Sequence, residues 1–259
     1  MITGDGRIDF AKESIRCFLD QTYKNKELII VTDGSTEYKS QLKDCVDSEG
    51  NIKLVCLTGR YTLGALRNIS IGLCDGDFMV QWDDDDFNMP ERLSVQYNWL
   101  SKSDKTVCYL GDQLHYYFPN QELYWENWWQ YQSGMSIKYG LIPGTLMASR
   151  VNFDARYPSA GRHAKAGEDS VLSDELDSKN KITLMKGWGN IQIYSYHGKN
   201  VWDLEHHLNI SKNRSHDVAF MNQNRDKICR TLEYMKLSNK VRVMGRDGLA
   251  FVYEAGDVA

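Results

Sequence analysis

Proline is scarce, at 4 of 259 residues, which is too few for a polyproline spacer or a Pro-rich linker. No stretch approaches the ~20 consecutive apolar residues of a membrane-spanning helix. Met1 leads into a Gly/Asp-rich turn rather than a basic-then-apolar segment, so no secretory signal is expected. The six cysteines (Cys17, Cys45, Cys56, Cys74, Cys108 and Cys229) stand singly, without a CxxC pair. Several sit in apolar patterns and read as small buried hydrophobes of a reducing cytosol. Basic residues form neither a stripe nor a tail, and with 31 Lys+Arg against 35 Asp+Glu the formal charge is −4. Nucleic acid is therefore not an expected partner, and no polybasic tail suggests an anionic membrane. Internal repeats and low-complexity linkers are missing too.

What remains is a chain with 42% hydrophobic residues, long enough for one large α/β domain with a proper core. The spacing of Phe10, Ile15, Phe18 and Leu19 predicts a helix over Asp9 to Tyr23. "ELIIV", Glu27 to Val31, is the short continuous apolar run of a buried parallel strand, and it ends in the turn-rich "TDGS". "YKSQLKDCVD" follows as a helix and "IKLVCL" as a strand. "LGALRNISIGLCDG" reads as a helix with Leu66, Ile69 and Leu73 on one face, stopped at Asp75-Gly76. "DFMVQW" is the next strand, and "PERLSVQYNWL" is a helix with Pro90 at its start. Alternating strands and helices imply a doubly wound, mostly parallel sheet with helices on both faces, and ligands at the strands' carboxyl ends. Beyond Tyr109 the pattern changes. Residues 111–160 read as aromatic and irregular, a helix is expected near Asp217 to Met235, and "VRVMGRDGLAFVYE" reads as a β-hairpin.

The run "VQWDDDDFNMPERL", Val80 to Leu93, sets four aspartates in a row at a strand end. Like charges a few Å apart repel by about 1 kcal/mol per pair even in water, so solvation, basic side chains or a bound cation must compensate. In an extended segment Asp83 and Asp85 face one way, and Asp84 and Asp86 the other. Paired carboxylates suit a divalent ion that also grips phosphates. The plainer alternative is a solvated acidic loop in which Asp86 caps the following helix. Downstream, "AGEDSVLSDEL" carries Glu168-Asp169, which is either a base beside the site or an acidic turn opening a helix. His197 follows the strand-like "NIQIYSY", while the adjacent His206 and His207 read as surface residues. Within Tyr116 to Tyr131, Trp125, Trp128 and Trp129 suit either sugar rings or core packing.

The order "TGDGR … CFLDQTYKNKELIIVTDGSTE … LGALRNISIGLCDGDFMVQWDDDDFNMPERL" resembles the nucleotide-sugar-binding half of family 2 glycosyltransferases of the GT-A fold. The likeness is specific over about residues 3–93 and traceable to about 205. It implies a nucleotide-sugar-binding half over 1–110, an acceptor-binding and catalytic half over 111–215, and an extension over 216–259. Thr3 and Asp5 would border the nucleotide, and Asp33 would accept a hydrogen bond from the base. Arg67 would lie near the phosphates, with a helix-structural role as the alternative. Asp83 or Asp84 would touch the ribose, and Asp85 would bind Mn²⁺ or Mg²⁺ with His197 completing the metal site. Asp169 would be the general base. The implied reaction is inverting, metal-assisted sugar transfer from a UDP- or GDP-linked donor to a glycan or lipid-linked acceptor. Its implied setting is polysaccharide biosynthesis in the cytoplasm, with peripheral association at the inner face of a membrane.

Members of that family open on an apolar strand before the Thr-containing loop. Here only Ile2 stands in that place, so the first strand is expected to be missing and its neighbours to lack a ladder partner. Two rival readings stay open. One is a degenerate, non-catalytic relative that keeps a nucleotide or glycan site. The other is a sugar nucleotidyltransferase, for which "TGDGR" is a short and acidic phosphate loop.

Overall fold

The structure, a computed structural model, describes residues 1–47, 49–132, 137–237 and 240–255. In chain order its first elements are α1 (Ile8–Leu19), β1 (Leu28–Thr32), α2 (Thr36–Val46), β2 (Ile52–Cys56), α3 (Leu63–Gly72), β3 (Phe78–Val80), β4 (Phe87–Asn88), α4 (Arg92–Leu100) and β5 (Val107–Leu110). There follow β6 (Asp112–Tyr117), β7 (Glu122–Asn127), β8 (Met147–Ser149), α5 (Glu168–Ser178), β9 (Ile182–Met185), β10 (Gln192–Tyr196), α6 (Leu204–Arg214), α7 (Val218–Gln223), α8 (Arg225–Tyr234), β11 (Val241–Gly245) and β12 (Gly248–Tyr253). They gather into two compact units, Met1–Asp86 with Pro90–Tyr109 and Pro143–Thr183, and Phe87–Met89 with Leu110–Ile142 and Leu184–Ala259. Chain order and spatial grouping therefore part company, with Phe87–Met89 in the second unit and Pro143–Thr183 in the first. Among the described residues no helix is long and apolar enough to cross a membrane.

In the first unit the expected alternation of strand and helix is present. All five residues of β1 are buried, and β1 runs parallel to β2 from Leu28↔Ile52 to Thr32↔Cys56. α3 lays Leu66, Ile69 and Leu73 against Ile29 and Val31, the face that its spacing predicted. Ser35 and Thr62 start α2 and α3 by accepting the backbone N–H groups of Tyr38 and Ala65. α1 ends at Leu19, short of the expected Tyr23, and Leu19 is exposed while Ala11, Ser14, Ile15 and Phe18 carry the buried face. Its end is closed by Gln21, whose side chain donates to the Cys17 carbonyl and accepts from the Leu93 N–H. α4 begins at Arg92, and Glu91 at its N-cap makes no side-chain cap bond. Asp86 is thus not the capping residue of the plainer reading; it is buried, at 4% exposure. β3 is only three residues long and pairs antiparallel with β8, which also pairs with β5. Ile2 does pair, as an isolated parallel bridge to Val31.

The second unit is built on a six-stranded sheet in the order β12-β11-β7-β6-β10-β4. Its centre corrects the expectation of irregular structure after residue 111. β6 and β7 form an antiparallel pair from Asp112↔Asn127 to Tyr117↔Glu122. Every residue of both strands is buried, including the face that carries Gln113, His115, Glu122 and Glu126, so neither face looks out on solvent. Trp125 takes its core role, 1% exposed with its indole N–H donating to Asp112 Oδ2 at 2.8 Å. The expected helix over 217–235 is two helices broken at Asn224, and the β11–β12 hairpin forms as its alternation predicted. His206 is exposed as expected, but His207 is not a surface residue. It is 7% exposed, packs edge-on against His115 at 5.2 Å between ring centroids, and burial lowers its pKa to about 4. His115 in turn bonds the buried Glu126 at 2.9 Å, and Ser211 donates to the same oxygen at 2.6 Å.

Candidate functional site

The first unit brings the carboxyl end of β1, the Thr3–Arg7 loop, the acidic run and the start of α5 into one polar system. Asp5 Oδ1 accepts both the N–H and the hydroxyl of Ser35, at 2.8 and 2.7 Å, which ties the loop to the start of α2. Those two bonds hold its pKa low. Asp33 Oδ2 accepts the Tyr61 N–H at 2.8 Å, and the exposed Arg60 reaches both carboxylates, 3.4 Å from Asp5 and 3.7 Å from Asp33. Thr3 is buried, and its hydroxyl bonds that of Tyr38 at 2.5 Å.

The acidic run answers its own charge problem with arginines. Burial alternates along it, with Asp84 and Asp86 each 4% exposed and Asp83 and Asp85 partly exposed, as an extended segment requires. Arg7 forks onto Asp84, Nε to Oδ2 at 2.8 Å and an Nη to Oδ1 at 2.6 Å, and reaches Asp85 Oδ2 at 2.5 Å. Burial opposes the charge of Arg7, but the two carboxylates outweigh it and raise its pKa. Burial raises the Asp84 pKa, with the Arg7 hydrogen bonds pulling the other way. Behind the run, Arg92 is fully buried, and burial lowers its pKa to about 10 against the pull of Asp86 and Asp83.

Arg67, on α3, is the second hub. Its Nε donates to Glu168 Oε1 at 2.9 Å and an Nη to Asp83 Oδ1 at 3.1 Å. The guanidinium lies 5.5 Å from the centroid of the Tyr157 ring. Tyr157 donates to Gln81 Oε1 at 2.8 Å, and Gln81 Nε2 donates to Asp83 Oδ2 at 3.0 Å, which closes a ring of contacts around Asp83. Gly64 permits this approach. A Cβ there would stand 2.0 Å from the Pro158 carbonyl oxygen, so α3 meets the Tyr157 segment only because residue 64 has no side chain.

Glu168 and Asp169 open α5 behind Gly167, whose φ of +77° suits glycine. Burial raises the pKa of Glu168 against the pull of Arg67. Asp169 is partly exposed; desolvation raises its pKa while Arg67 and the Ser170 N–H lower it, and the charge of Asp83 pushes the same way as desolvation. A carboxylate held above its ordinary value is a better proton acceptor.

Thr3, Asp5, Asp33, Arg67, Asp83, Asp84, Asp85 and Asp169 thus all belong to the first unit. His197 belongs to the second, just after β10, where its Nδ1 accepts the Lys199 N–H at 3.2 Å. Among the described residues no group of three or more His, Cys, Asp or Glu side chains stands ready to hold a metal ion. Sequence reasoning missed Arg7, Gln81, Tyr157 and Arg60. Only Arg7 left a signal: it is the cation inside "TGDGR", in a chain whose acidic run needs one.

Residues 6–152, more than half of the chain, match the family described as glycosyl transferase family 2. The chain belongs to that family. The match takes in Arg7, Asp33, Arg67 and the acidic run; Glu168, Asp169 and His197 lie beyond it. An uncharacterised glycosyltransferase of Haemophilus influenzae is 33% identical over 108 residues, 40% of this chain and 32% of that protein. The O-antigen biosynthesis glycosyltransferase WbnJ of Escherichia coli is 30% identical over 112 residues, 42% of each chain. These matches therefore span 32% and 42% of the relatives' own length. The crystal structure of S. aureus TarS with UDP-GlcNAc superposes with a TM-score of 0.60 at 14% identity, covering 90% of this chain and 65% of that one. At that identity the likeness bears on fold, and it is the α/β GT-A fold expected for family 2.

Proposed function

We propose that this chain moves a sugar from a nucleotide-diphospho-sugar to an acceptor hydroxyl, with inversion, in glycan or polysaccharide assembly. The observation that carries the reading is Arg67, which grips Asp83 of the acidic run and Glu168 beside Asp169 at once. Carboxylates from two distant stretches are thereby held around one cation, as a donor site and a base must be.

In this reading Thr3, Asp5 and Asp33 border the nucleoside, with Arg60 between the two carboxylates. Asp169 takes the proton of the acceptor hydroxyl as its oxygen attacks the anomeric carbon. The bond from that carbon to the diphosphate oxygen breaks with its electron pair, so a single displacement inverts the centre. Asp84, with both oxygens on Arg7, holds the run in shape, while Asp83 and Asp85 turn to the partly exposed side. Two hard carboxylate donors are the set that Mg²⁺ or Mn²⁺ uses when a diphosphate supplies further ligands, so the residues fit the ion. When bound, the ion supplies Lewis-acid neutralisation of charge on the departing nucleoside diphosphate. This fit is argued from Asp83 and Asp85 of the first unit; His197, in the second, is no part of the argument. The TarS structures hold UDP and UDP-GlcNAc, which makes a UDP-linked donor the first to try, and the relatives' names favour a glycan acceptor.

The test is calorimetric titration of UDP and GDP, with and without Mn²⁺, into the chain and its Asp85→Ala and Asp169→Asn variants. Metal-dependent binding of one nucleotide, lost in Asp85→Ala and kept in Asp169→Asn, is the expected result. No nucleotide binding by the folded chain overturns the reading.

A further inference from the structure

Between Asp154 and Glu168 the first unit carries "ARYPSAGRHAKAG", which holds Arg156, Arg162, His163 and Lys165 and no acidic residue. Its first half is tied to α3. The Asn68 side chain donates to the Tyr157 C=O at 2.8 Å and accepts the Tyr157 N–H at 3.0 Å, and the Thr62 hydroxyl donates to the Ser159 C=O at 3.0 Å. Its second half is a 3₁₀ turn, Arg162–Ala164, set between Gly161 and Gly167, whose φ values are +76° and +77°. Ala164 is fully buried and fixes the turn's inner side. At three residues per turn Arg162 and Lys165 share one side, and both are exposed. Arg162 Nε donates to His163 Nε2 at 2.9 Å, and His163 Nδ1 lies 3.8 Å from where a Cβ on Gly167 would stand. The basic turn thus lies against the residue that leads into Glu168 and Asp169.

Neighbouring cations are matched. Arg67 takes Asp83 and Glu168, Arg60 takes Asp5 and Asp33, and Lys179 and Lys181 both take Asp154. Arg162 and Lys165 have no carboxylate partner among the described residues. Two like charges held on one side of a short turn repel, and an anion between them relieves that repulsion. Lys165 is four residues from Asp169, so their Cα atoms stand at most about 14 Å apart.

We propose that Arg162 and Lys165 hold a phosphate group carried by the acceptor, whose hydroxyl is thereby delivered to Asp169. The acceptor class is then a phosphate-bearing glycan. The planar guanidinium can take two phosphate oxygens while the lysine ammonium meets a third as a point charge; a carboxylate has only two oxygens, which the arginine fills alone. The basic turn also offsets the repulsion that Asp83, Asp85 and Asp169 exert on an incoming anion, over a range of about 10 Å at 0.1 M salt. The acceptor role rests on the transferase reading, in which Asp169 is the base; the phosphate site itself does not.

The test follows the backbone amides of residues 161–166 by NMR while glucose 6-phosphate, glucose, glucuronate, inorganic phosphate and UDP are titrated separately into the full chain. The same titrations are run on the Arg162→Ala/Lys165→Ala double variant. Lys43→Ala/Lys53→Ala removes two exposed cations elsewhere in the unit and is the charge-matched control. Glucose 6-phosphate is expected to shift these amides, and glucose to leave them in place. Its affinity should fall about 10-fold or more in the Arg162/Lys165 variant and stay unchanged in the control. No shift with glucose 6-phosphate overturns the proposal, as does an equal loss in the control, which would make the effect one of bulk charge. Equal affinity for glucuronate overturns the choice of phosphate. Equal affinity for inorganic phosphate overturns a sugar-borne group as the occupant. If UDP moves the same amides and is weakened by the same variant, the two cations belong to the donor diphosphate and the acceptor role falls. If UDP binds nowhere on the folded chain, the transferase reading fails and takes the acceptor role with it, while glucose 6-phosphate alone decides the phosphate site.

Discussion

Replacing Arg67 by Met tests the charge logic of the site most directly. The side chain keeps similar length and apolar bulk but loses the cation. Glu168, with a side chain only 4% exposed, loses its bond at 2.9 Å, and Asp83 loses its contact at 3.1 Å. Removing one partner of a buried ion pair typically costs about 3–5 kcal/mol, because the other charge stays buried and unpaired. Asp83 keeps Gln81 and some solvent, so the low end, about 3 kcal/mol, is expected; in a chain of this size that is a Tm lower by about 6–12 °C. The pH dependence carries a sign. Burial already raises Glu168 above its ordinary 4.5, so the folded chain holds a proton where the unfolded chain has lost it. Such a group weakens the fold as pH rises above that value. Without Arg67 the pKa values of Glu168 and Asp169 climb further, so the deficit should be larger at pH 8 than at pH 5. Thermal unfolding at the two pH values checks this, with Glu168→Gln and the double variant alongside. The double variant should lose less than the sum of the singles, since Glu168→Gln removes the orphaned charge. A deficit under about 2 °C, or one equal at both pH values, refutes the reasoning.

Arg7→Gln should lower Tm by about 4–8 °C at pH 8, corresponding to roughly 2 kcal/mol, because Asp84 is left buried without its fork. Burial already raises the Asp84 pKa, so part of that loss should return on acidification to pH 5. Gly64→Ala sets a Cβ 2.0 Å from the Pro158 oxygen and should destabilise by about 1–3 kcal/mol in denaturant titration. Gly72→Ala on the same helix meets nothing within 4 Å and should be neutral or stabilising by up to about 1 kcal/mol. Equal effects of the two alanines would refute the close approach of α3 to the Tyr157 segment.

Local pattern made much of the first unit legible. The buried apolar run of β1, the shared face of Leu66, Ile69 and Leu73, and the side-to-side alternation of Asp83 to Asp86 all follow from periods of 2.0 and 3.6 residues. The motif order was enough to identify the family. β6 and β7 escaped notice because both faces of each are buried, which leaves no solvent side for Gln113, His115, Glu122 and Glu126 to mark. His207 escaped because its burial depends on His115, 92 positions earlier, and not on its neighbour His206.

By itself, then, the sequence determined the α/β class, the family and the place of the acidic run at a strand end. Tertiary structure alone decided what neutralises that run. Arg7 meets Asp84 across 77 positions, and Arg67 meets Glu168 across 101. The physical reason is that periodicity reports only which side of an element is apolar. Charge compensation is a matter of distance in space, which exists only once the chain has folded.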